Sequence, residues 1–390
     1  MELASLLLTP DSRLPNPTTK GNLFMSQPSS YKVLVPADEL HQFVESLFLK
    51  GGFAPAHAAD AANVLMYASR RGVDTHGIRN VMPIYFRQLE AGQLNVAPNF
   101  HIEHETPVSA RANGDSGLGL AAGCWGMRLA MQKARQSGIG MVSMHNSYHY
   151  GAAGYYPWLA VQEDLIGISM TGRIYAGGAE YGVPPTFGAK AMFSTNPLSI
   201  SFPTQNEPPY VFDMATSVVP FNRITMMRDA GQSIPLGWGV TADGSPSTDP
   251  GEVAQVLPLG GSREQGGHKG YGLATMVTVL CNLLSGGWAG LYDNDPQAFE
   301  GFKLPNDGHF FAAFRVDLFR PLAEFKEGMD AMIRALHASP KLSGHDRIYV
   351  AGEIEHETEI QRLHDGVPVT ETVFDNFVEL AERYDVALPW

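Results

Sequence analysis

The sequence predicts an α/β fold with helical parts at both ends. Apolar residues recur at helical spacing after the polar N-terminus, and again near the C-terminus. Between them, short apolar runs separated by glycine- and proline-rich turns indicate strands. We expect four parts: a disordered leader over residues 1–30, a helical part over 31–110, an α/β core over 111–320, and a helical part over 321–390 that packs on the first helical part.

Three helices are expected in the N-terminal part. The first covers about residues 36–51 and the second about 56–71, each with apolar residues on one face and glycine directly after it. The third begins after Asp74-Thr75, either of which can cap it, and ends before Gly92.

The core is expected to combine strands with two long helices. The helices cover residues 118–136 and 270–285, and a further helix follows at 374–383. Residues 237–262 have the composition of a loop, with Asp-Gly and Asp-Pro pairs. The predicted strands cover residues 139–144, 165–170, 198–202, 210–214 and 309–316.

The nearest approach to a Rossmann fingerprint is Gly117-Leu118-Gly119 followed by Gly123. Its spacing is one residue too long, and no convincing hydrophobic strand precedes it. No acidic residue follows at about 20 positions, where a ribose would need one. These glycines are better explained as residues that shape a turn and the start of a helix. A bound dinucleotide would therefore be held by another arrangement.

Composition excludes several classes of partner. A formal net charge of -13 argues against nucleic acid, which is bound by clustered Lys and Arg. No run approaches the roughly 20 apolar residues that span a bilayer, and the N-terminal apolar run lacks the basic start of a secretory signal. We therefore expect a cytoplasmic protein without a membrane partner. The only cysteines, Cys124 and Cys281, lie in apolar helical contexts, which favours buried thiols over a disulfide.

The first candidate catalytic residue is His76, within Asp74-Thr75-His76-Gly77. A helix N-terminus disfavours the protonated form of a histidine, which suits an acid or base near neutral pH. The Thr75 hydroxyl can fix the tautomer. Arg79 and Tyr85 follow on the same helix, so a guanidinium fork and a phenol would share a wall with the base. The alternative is a helix cap with an incidental histidine.

The second candidate is His149, within the segment 145–156 (HNSYHYGAAGYY). Two histidines, an asparagine and four tyrosines follow an apolar strand there, beside glycines that let a ligand approach the backbone. Such a set suits a reaction site better than a packing surface. A core histidine satisfied by the backbone is the alternative.

Asp213 is a single carboxylate at the end of an apolar strand. Burial of an ionised carboxylate is costly unless it is paired, and a histidine is the natural partner. A Thr75–His76–Asp213 relay is therefore expected. Capping of a turn by Asp213 is the alternative.

The segment 266–272 (GGHKGYG) opens an apolar helix. Backbone N–H groups, the helix dipole and the Lys269 charge would together favour a phosphate or pyrophosphate. The alternative is a flexible loop before a buried helix. Because the sequence contains neither HExxH nor a Cys/His ligand cluster, we expect no metal.

Taken in order, these segments resemble the malate/L-lactate dehydrogenase family. This family comprises NAD(P)-dependent 2-hydroxyacid dehydrogenases distinct from the Rossmann type, and includes ureidoglycolate, sulfolactate and diketogulonate enzymes and cyclic-imine reductases. The resemblance extends over about residues 33–389. The matching segments are DTHG, HNSYHYGAAGYY, GAKAMFSTNPLSISFP, VFDMATS, DGSPSTDP, LPLGG, GGHKGYGL and AGE.

The resemblance implies a non-Rossmann α/β fold with helical N- and C-terminal parts, usually an intertwined homodimer with sites near the subunit interface. It implies NAD or NADP as cofactor. The family's catalytic histidine falls on His76, with Thr75 and Asp213 as relay partners. In some members the acid/base role belongs to the histidine that falls on His149.

Substrate-binding residues follow from the chemistry, and cofactor contacts from the resemblance. A cation must bind the carboxylate of the small anionic substrate, for which Arg79 and Lys190 are available, with Tyr85 on the same helix as Arg79. The implied cofactor contacts are Tyr150, Gly151, Thr195, Asn196, Phe212, Asp213, Met214, Ala215, His268, Lys269, Gly270, Gly352 and Glu353.

Three departures from the family pattern touch the expected substrate pocket. Arg79 comes three residues after His76 instead of four, and Tyr85 nine residues after it instead of eight. Ser194 stands where the family has glycine in Gly-Thr-Asn-Pro. The segment 171–183 is several residues longer than usual and lacks the common asparagine after its threonine. These differences indicate an unusual substrate.

We therefore expect an oxidoreductase that transfers a hydride between NAD(P)(H) and a small 2-oxo or 2-hydroxy acid, with histidine as acid/base. One alternative is an NAD(P)H-dependent reductase of a cyclic imine carboxylate. Another is a small-anion-binding protein that keeps the fold without catalysis. The His149-Tyr150-Gly151 run favours the first. The choices between NAD and NADP, and between the two histidines, stay open.

Overall fold

The computed structural model describes residues 31–179, 181–287 and 307–390. The expected disordered leader over residues 1–30 lies outside these ranges. The described part is a mixed α/β fold, as the sequence predicts. Its α-helices are α1 (Ala37–Lys50), α2 (Pro55–Arg70), α3 (Arg87–Glu90), α4 (Gly119–Ser137), α5 (Tyr155–Val161), α6 (Phe221–Asp229), α7 (Gly267–Thr278), α8 (Leu322–Ala338), α9 (Glu353–Asp365) and α10 (Glu371–Tyr384).

The strands form one large sheet and three small ones. They are β1 (Val33–Val35), β2 (His101–Glu105), β3 (Ser109–Gly117), β4 (Ile139–Ser147), β5 (Leu165–Gly172), β6 (Ile174–Ala179), β7 (Ala191–Phe193), β8 (Leu198–Phe202), β9 (Tyr210–Met214), β10 (Gly239–Val240), β11 (Pro246–Ser247), β12 (Gln255–Val256), β13 (Asp307–Arg315) and β14 (Val367–Val369).

The large sheet has the order β2-β3-β4-β13-β5-β8-β9. The pair β3–β4 is parallel, with α4 as its connection, and the other pairs are antiparallel. All five predicted strands are present. A strand, β3, does precede Gly117, although the sequence there is not a convincing hydrophobic run. Its buried positions include Ala110 and Ala112, which are too small to give an apolar run.

The N-terminal helices α1 and α2 match their predictions within a few residues. The third predicted helix is irregular: a 3-10 turn (Ile78–Asn80) leads into a π turn (Val81–Phe86) and then α3. A π turn holds one more residue per hydrogen-bonded ring than an α turn, and such turns occur often at functional sites. The part Val81–Phe86 is therefore wider than an α-helix.

The C-terminal helices pack on the N-terminal ones. Phe377 of α10 meets Phe43 of α1 edge-on, with ring centroids 5.0 Å apart. Strand β1 pairs with β14. Arg362 of α9 donates two hydrogen bonds to the Asp74 carboxylate, at 2.6 and 3.0 Å. Arg362 therefore links the turn that carries His76 to the C-terminal helical part.

Residues 237–262, predicted to be a loop, contain the small sheet β11-β10-β12. Its strands have only two residues each, too few to give an alternating pattern. Together with α6 they form a satellite unit, defined here as residues 219–256. Its own small core contains Ile224, Ile234, Val253 and Val256.

Both cysteines are buried and free, as predicted. Over the residues that the structure describes, no helix has the length and apolarity that a membrane span requires.

Candidate active site

His76 lies in the turn after α2, directly before the 3-10 turn. Its Nδ1 is 2.8 Å from Thr75 Oγ1, so the predicted Thr75–His76 contact is present. Burial and, to a smaller extent, the neighbouring His149 together lower the pKa of His76 to about 3. The residue is nevertheless partly exposed. His76 is therefore a neutral, oriented imidazole that a ligand can reach.

His149 lies beyond the end of β4, and its ring stacks on that of His76. The ring centroids are 5.8 Å apart and the planes differ by 20°. Burial lowers the pKa of His149 to about 4, which outweighs the raising effect of Asp307. The two candidate catalytic histidines, found separately in the sequence, therefore share one site.

Tyr85 joins this site from the π turn. Its Oη is 2.8 Å from Nδ1 of His149, and the residue is 1% exposed. Each histidine thus has a hydroxyl at Nδ1, which leaves Nε2 for other contacts. The π turn accounts for the late position of Tyr85, because an additional residue in the turn changes which side chain faces His149.

An ion pair that the sequence analysis missed lies beside His149, with Asp307 buried and Arg173 partly exposed. Arg173 donates two hydrogen bonds to Asp307, at 2.5 and 2.8 Å. In the sheet, Asp307 is opposite Ser147, two residues before His149. Arg173 lies in segment 171–183. The unusual length of that segment was the only feature of the sequence that pointed to this residue.

His309, next to this pair on β13, is completely buried. Its two ring nitrogens lie 2.9 Å from the hydroxyls of Thr171 and Ser147. The ring stacks on Tyr150 with centroids 4.9 Å apart. Burial lowers its pKa to about 4. His309 is therefore a neutral histidine that holds strand ends together beneath the site.

Asp213 is positioned differently from the predicted relay. Its carboxylate accepts a hydrogen bond from the Gly154 N–H at 2.7 Å, and no ion pair or hydrogen bond joins it to a histidine of the described chain. Desolvation raises its pKa, although the Gly154 contact opposes this. The residue itself keeps an accessible surface at the end of β9. The difference arises because β9 brings Asp213 onto the turn before α5, and its catalytic role stays a prediction.

The two predicted substrate cations lie in different environments. Arg79 donates a hydrogen bond to Asp229 of α6 at 2.5 Å, and its side chain is 18% exposed. Lys190 is exposed just before β7 and forms no ion pair within the described ranges. Of the three residues predicted to bind substrate, only Tyr85 contacts a candidate catalytic histidine.

Several predicted cofactor residues are engaged inside the protein. Tyr150 and Gly151 are buried. The Asn196 side chain accepts from the Arg173 N–H at 3.1 Å and donates to Thr278 of α7 at 2.9 Å. The Thr195 carbonyl accepts the Thr216 N–H. These residues connect the site to α7.

The predicted contacts at the end of β9 are more accessible. Phe212, Met214 and Ala215 are half-buried beside the exposed Asp213. Gly352 lies against this strand, since a Cβ there would be 3.0 Å from Val211. Glu353 is buried and accepts hydrogen bonds from His337 and the Val350 N–H, both at 3.0 Å, and from Arg347.

The first turn of α7 carries His268, Lys269 and Gly270. Nη1 of Arg263 is 3.2 Å from Nδ1 of His268, and Lys269 is exposed. The Gly267 N–H already donates to Ser262 O at 2.8 Å, and the Lys269 N–H to Gly266 O at 2.8 Å. Attraction of an anion here therefore depends more on the basic side chains than on free backbone groups.

A cleft of about 220 Å³ lies next to this turn, between residues 184–189 and 261–264. Neither candidate catalytic histidine lines it. No group of three His, Cys, Asp or Glu residues that could hold a metal ion occurs in the described ranges.

Comparison with known proteins identifies the family. The model of the malate/L-lactate dehydrogenase family matches residues 35–378, so the chain belongs to this family. The chain is 39% identical to malate dehydrogenase of Pyrococcus abyssi over 359 residues, 91% of this chain and 96% of that one. It is 30% identical to ureidoglycolate dehydrogenase (NAD(+)) of Escherichia coli O157:H7, over 88% of this chain and 95% of that one.

The fold agrees with this membership. The crystal structure of malate dehydrogenase from Entamoeba histolytica matches with a TM-score of 0.84 and 35% identity, over 92% of this chain and 99% of that chain. The chain is therefore an oxidoreductase of a family whose named relatives are dehydrogenases, and the non-Rossmann fold predicted from the resemblance is confirmed.

Proposed function

We propose that the chain transfers a hydride between NAD(P)(H) and a small 2-oxo or 2-hydroxy acid, with a histidine as acid/base. The observation that carries this proposal is the stacked pair His76 and His149, two neutral and partly exposed imidazoles that each have a hydroxyl at Nδ1. Family membership supports the same reaction type.

The bound nicotinamide supplies or accepts the hydride. The chain must then move one proton at the substrate oxygen. Because its pKa is lowered to about 3, His76 is neutral at pH 7 and can accept a proton from a hydroxyl group. In the reducing direction it must first be protonated, which an anionic substrate nearby favours.

His149 limits how many protons the site holds. Two positive imidazolium rings 5.8 Å apart repel each other, so protonation of one disfavours protonation of the other. The pair therefore acts with a single proton. The pKa of His149, about 4, lies above that of His76, about 3, so without substrate the first proton goes to His149. We assign the proton transfer with the substrate to His76, which is the family's usual residue, and assign to His149 and Tyr85 the orientation of the substrate.

A cation must bind the substrate carboxylate. Besides Arg79 and Lys190, we include Arg173, because its fixed pair with Asp307 holds a guanidinium beside His149. A guanidinium can bind a carboxylate through two parallel hydrogen bonds. Because Asp307 already occupies two of its donors, the substrate would use the remaining edge.

The residues present fit a dinucleotide. The accessible Asp213 carboxylate can accept hydrogen bonds from ribose hydroxyls, and Arg263, His268 and Lys269 form a basic cluster for a pyrophosphate at the start of α7. The name of the E. coli relative supports NAD.

In Lys269→Ala we expect weaker cofactor binding, measured by fluorescence titration with NADH and NADPH. Unchanged affinity would remove Lys269 from the cluster.

We also propose a homodimer. Met276, Val279 and Leu283 form an exposed apolar stripe at helical spacing along α7 and the π turn that follows it. Exposed apolar stripes of this kind support association.

The test is turnover of NADH and NADPH with oxaloacetate, pyruvate, sulfopyruvate and piperideine-2-carboxylate. We expect turnover with at least one 2-oxo acid, and its loss in His76→Ala while the cofactor Kd stays unchanged. Turnover with the cyclic imine alone would replace the hydroxy-acid assignment. Tight cofactor binding with no turnover across the panel would contradict an oxidoreductase and favour a non-catalytic anion-binding protein.

A further inference from the structure

The backbone carbonyl of Thr75, the residue before His76, accepts two side-chain amides. Asn80 Nδ2 donates to it at 2.9 Å, and Asn222 Nδ2 donates at 2.7 Å. Asn222 Nδ2 also lies 3.3 Å from Asn80 Oδ1. Asn80 belongs to the turn after His76, whereas Asn222 comes from the first turn of α6, 147 residues along the chain.

These contacts determine how Thr75 presents its hydroxyl. A carbonyl oxygen has two lone pairs, and two amide donors occupy both. The Thr75 peptide is thereby held in one orientation, and its Oγ1 is held 2.8 Å from Nδ1 of His76. The group at Nδ1 sets the tautomer and ring direction of a histidine, and hence the state of Nε2.

Helix α6 makes a second contact with the same segment. Asp229, seven residues after Asn222, pairs with Arg79. Residues seven apart lie on one helix face, about 10 Å apart along the axis. The helix therefore lies along the segment from Thr75 to Arg79, with one polar contact on each side of His76.

Apart from these polar links, helix α6 is held mainly by apolar contacts. Ile224 is its only buried residue, and it packs in the small core of the satellite unit, separate from the main core. The Arg79–Asp229 pair is partly exposed, so solvent weakens its contribution. Asn222 is therefore the principal polar link from α6 to the turn that carries His76.

We propose that Asn222 is a positioning residue for His76, through which the satellite unit fixes the orientation of the imidazole. The role of His76 in this statement rests on the proposed function. Asn222 does not touch the reacting atoms, and acts only through the Thr75 peptide.

The test compares Asn222→Ala with Thr225→Ala. Thr225 lies one turn along the same helix and forms no side-chain hydrogen bond to a residue that the structure describes. With the most active substrate of the panel, we expect a fall in kcat of about 10- to 100-fold in Asn222→Ala, with KM and the cofactor Kd nearly unchanged. Thr225→Ala should resemble wild type.

A double-mutant cycle with His76→Ala distinguishes positioning from general damage. If Asn222 acts through His76, its removal from the His76→Ala variant should cost nothing further in residual rate. Additive effects, or equal losses in Asn222→Ala and Thr225→Ala, would overturn the proposal.

A second readout does not depend on turnover. In protein with 15N-labelled histidine, we expect the His76 ring shifts, assigned by their loss in His76→Ala, to change in Asn222→Ala while those of the buried His309 do not. Unchanged His76 shifts would overturn the proposal even if the enzyme is active. Altered shifts without turnover on any substrate would leave the positioning intact and contradict the proposed function. If Asn222→Ala does not fold, the isosteric Asn222→Asp, which removes both donors, replaces it.

Discussion

The rings of His76 and His149 face each other with 5.8 Å between centroids, and each ring has a hydroxyl at Nδ1. The two hydroxyls come from different parts of the chain, Thr75 from the turn after α2 and Tyr85 from the π turn. This arrangement makes the pair electrostatically coupled, because a proton on one ring raises the free energy of a proton on the other.

Replacement of His149 by asparagine should raise the pKa of His76, because a neighbour that lowers it is removed while burial remains. In the oxidising direction His76 must be neutral, so activity is lost as the pH falls through its pKa. The acid limb of kcat/KM against pH should therefore move to higher pH in His149→Asn. Tyr85→Phe, which keeps the His149 ring, is the control. An unmoved limb in His149→Asn would contradict the coupling.

Arg362→Ala should destabilise the fold and disturb the site together. Its guanidinium donates to Asp74 and to the Ser69 carbonyl, and its side chain is 7% exposed. Removal leaves these acceptors without their partner, at a cost of about 3 kcal/mol in the free energy of unfolding. Arg320→Ala breaks only the exposed pair with Glu324 and should cost less than about 1 kcal/mol. Urea unfolding measures the free energy of unfolding of both variants. Equal losses of stability in Arg362→Ala and Arg320→Ala would contradict the role given to Arg362.

Long periodic elements could be predicted from the sequence, whereas short or weakly apolar ones could not. Helices α1, α2 and α4 have clear apolar faces, and strands β4 and β5 are continuous apolar runs. Strand β3 was missed because only alanines and glycines occupy its buried positions. Helix α6 was missed because it buries only Ile224, which gives no stripe.

The site was predictable in its parts but not in its assembly. Local sequence identified His76 and His149, because titratable residues beside glycine turns suit chemistry. Their stacking depends on how the end of β4 meets the turn after α2, which is a long-range contact. The Tyr85–His149 contact depends on a π turn, for which the late position of Tyr85 was an indirect sequence signal. Asp213 was assigned to His76 on chemical grounds, whereas the register of β9 brings it to Gly154.

His309 should make the protein sensitive to acid. Burial lowers its folded-state pKa from 6.5 to about 4, so the unfolded chain binds more protons between these values. The free energy of unfolding therefore falls as the pH is lowered through that range, by about 3 kcal/mol for this group. The pKa of Asp213 is raised in the folded state, so this group binds more protons when folded. Its contribution to the free energy of unfolding therefore rises as the pH is lowered, opposite to that of His309.

The variant His309→Asn lacks this titrating group. Its stability at pH 7 should be lower because hydrogen bonds to Thr171 and Ser147 are changed. Between pH 6.5 and 4, however, it should lose about 3 kcal/mol less than wild type. Denaturant unfolding across this pH range measures the difference. Parallel curves for the two proteins would show that His309 is not the acid-sensitive group.

Two glycines of α7 offer a matched pair of substitutions. A Cβ at Gly267 would lie 1.9 Å from the carbonyl oxygen of Gly261, so the backbone of the preceding loop must shift. A Cβ at Gly272 meets nothing within 4 Å. Gly272→Ala should therefore stabilise the protein by up to about 1 kcal/mol, since alanine favours the helix more than glycine does. Gly267→Ala should instead destabilise it.

The same pair tests the anion site at the start of α7. Gly267→Ala displaces the loop that carries Arg263, whose side chain contacts His268. If this basic cluster binds the cofactor pyrophosphate, the Kd for NADH or NADPH should rise in Gly267→Ala and stay unchanged in Gly272→Ala. Thermal unfolding measures the change in stability. Fluorescence titration measures the cofactor Kd separately, because it is made on folded protein below the Tm. A destabilised Gly267→Ala that binds cofactor like wild type would place the pyrophosphate elsewhere.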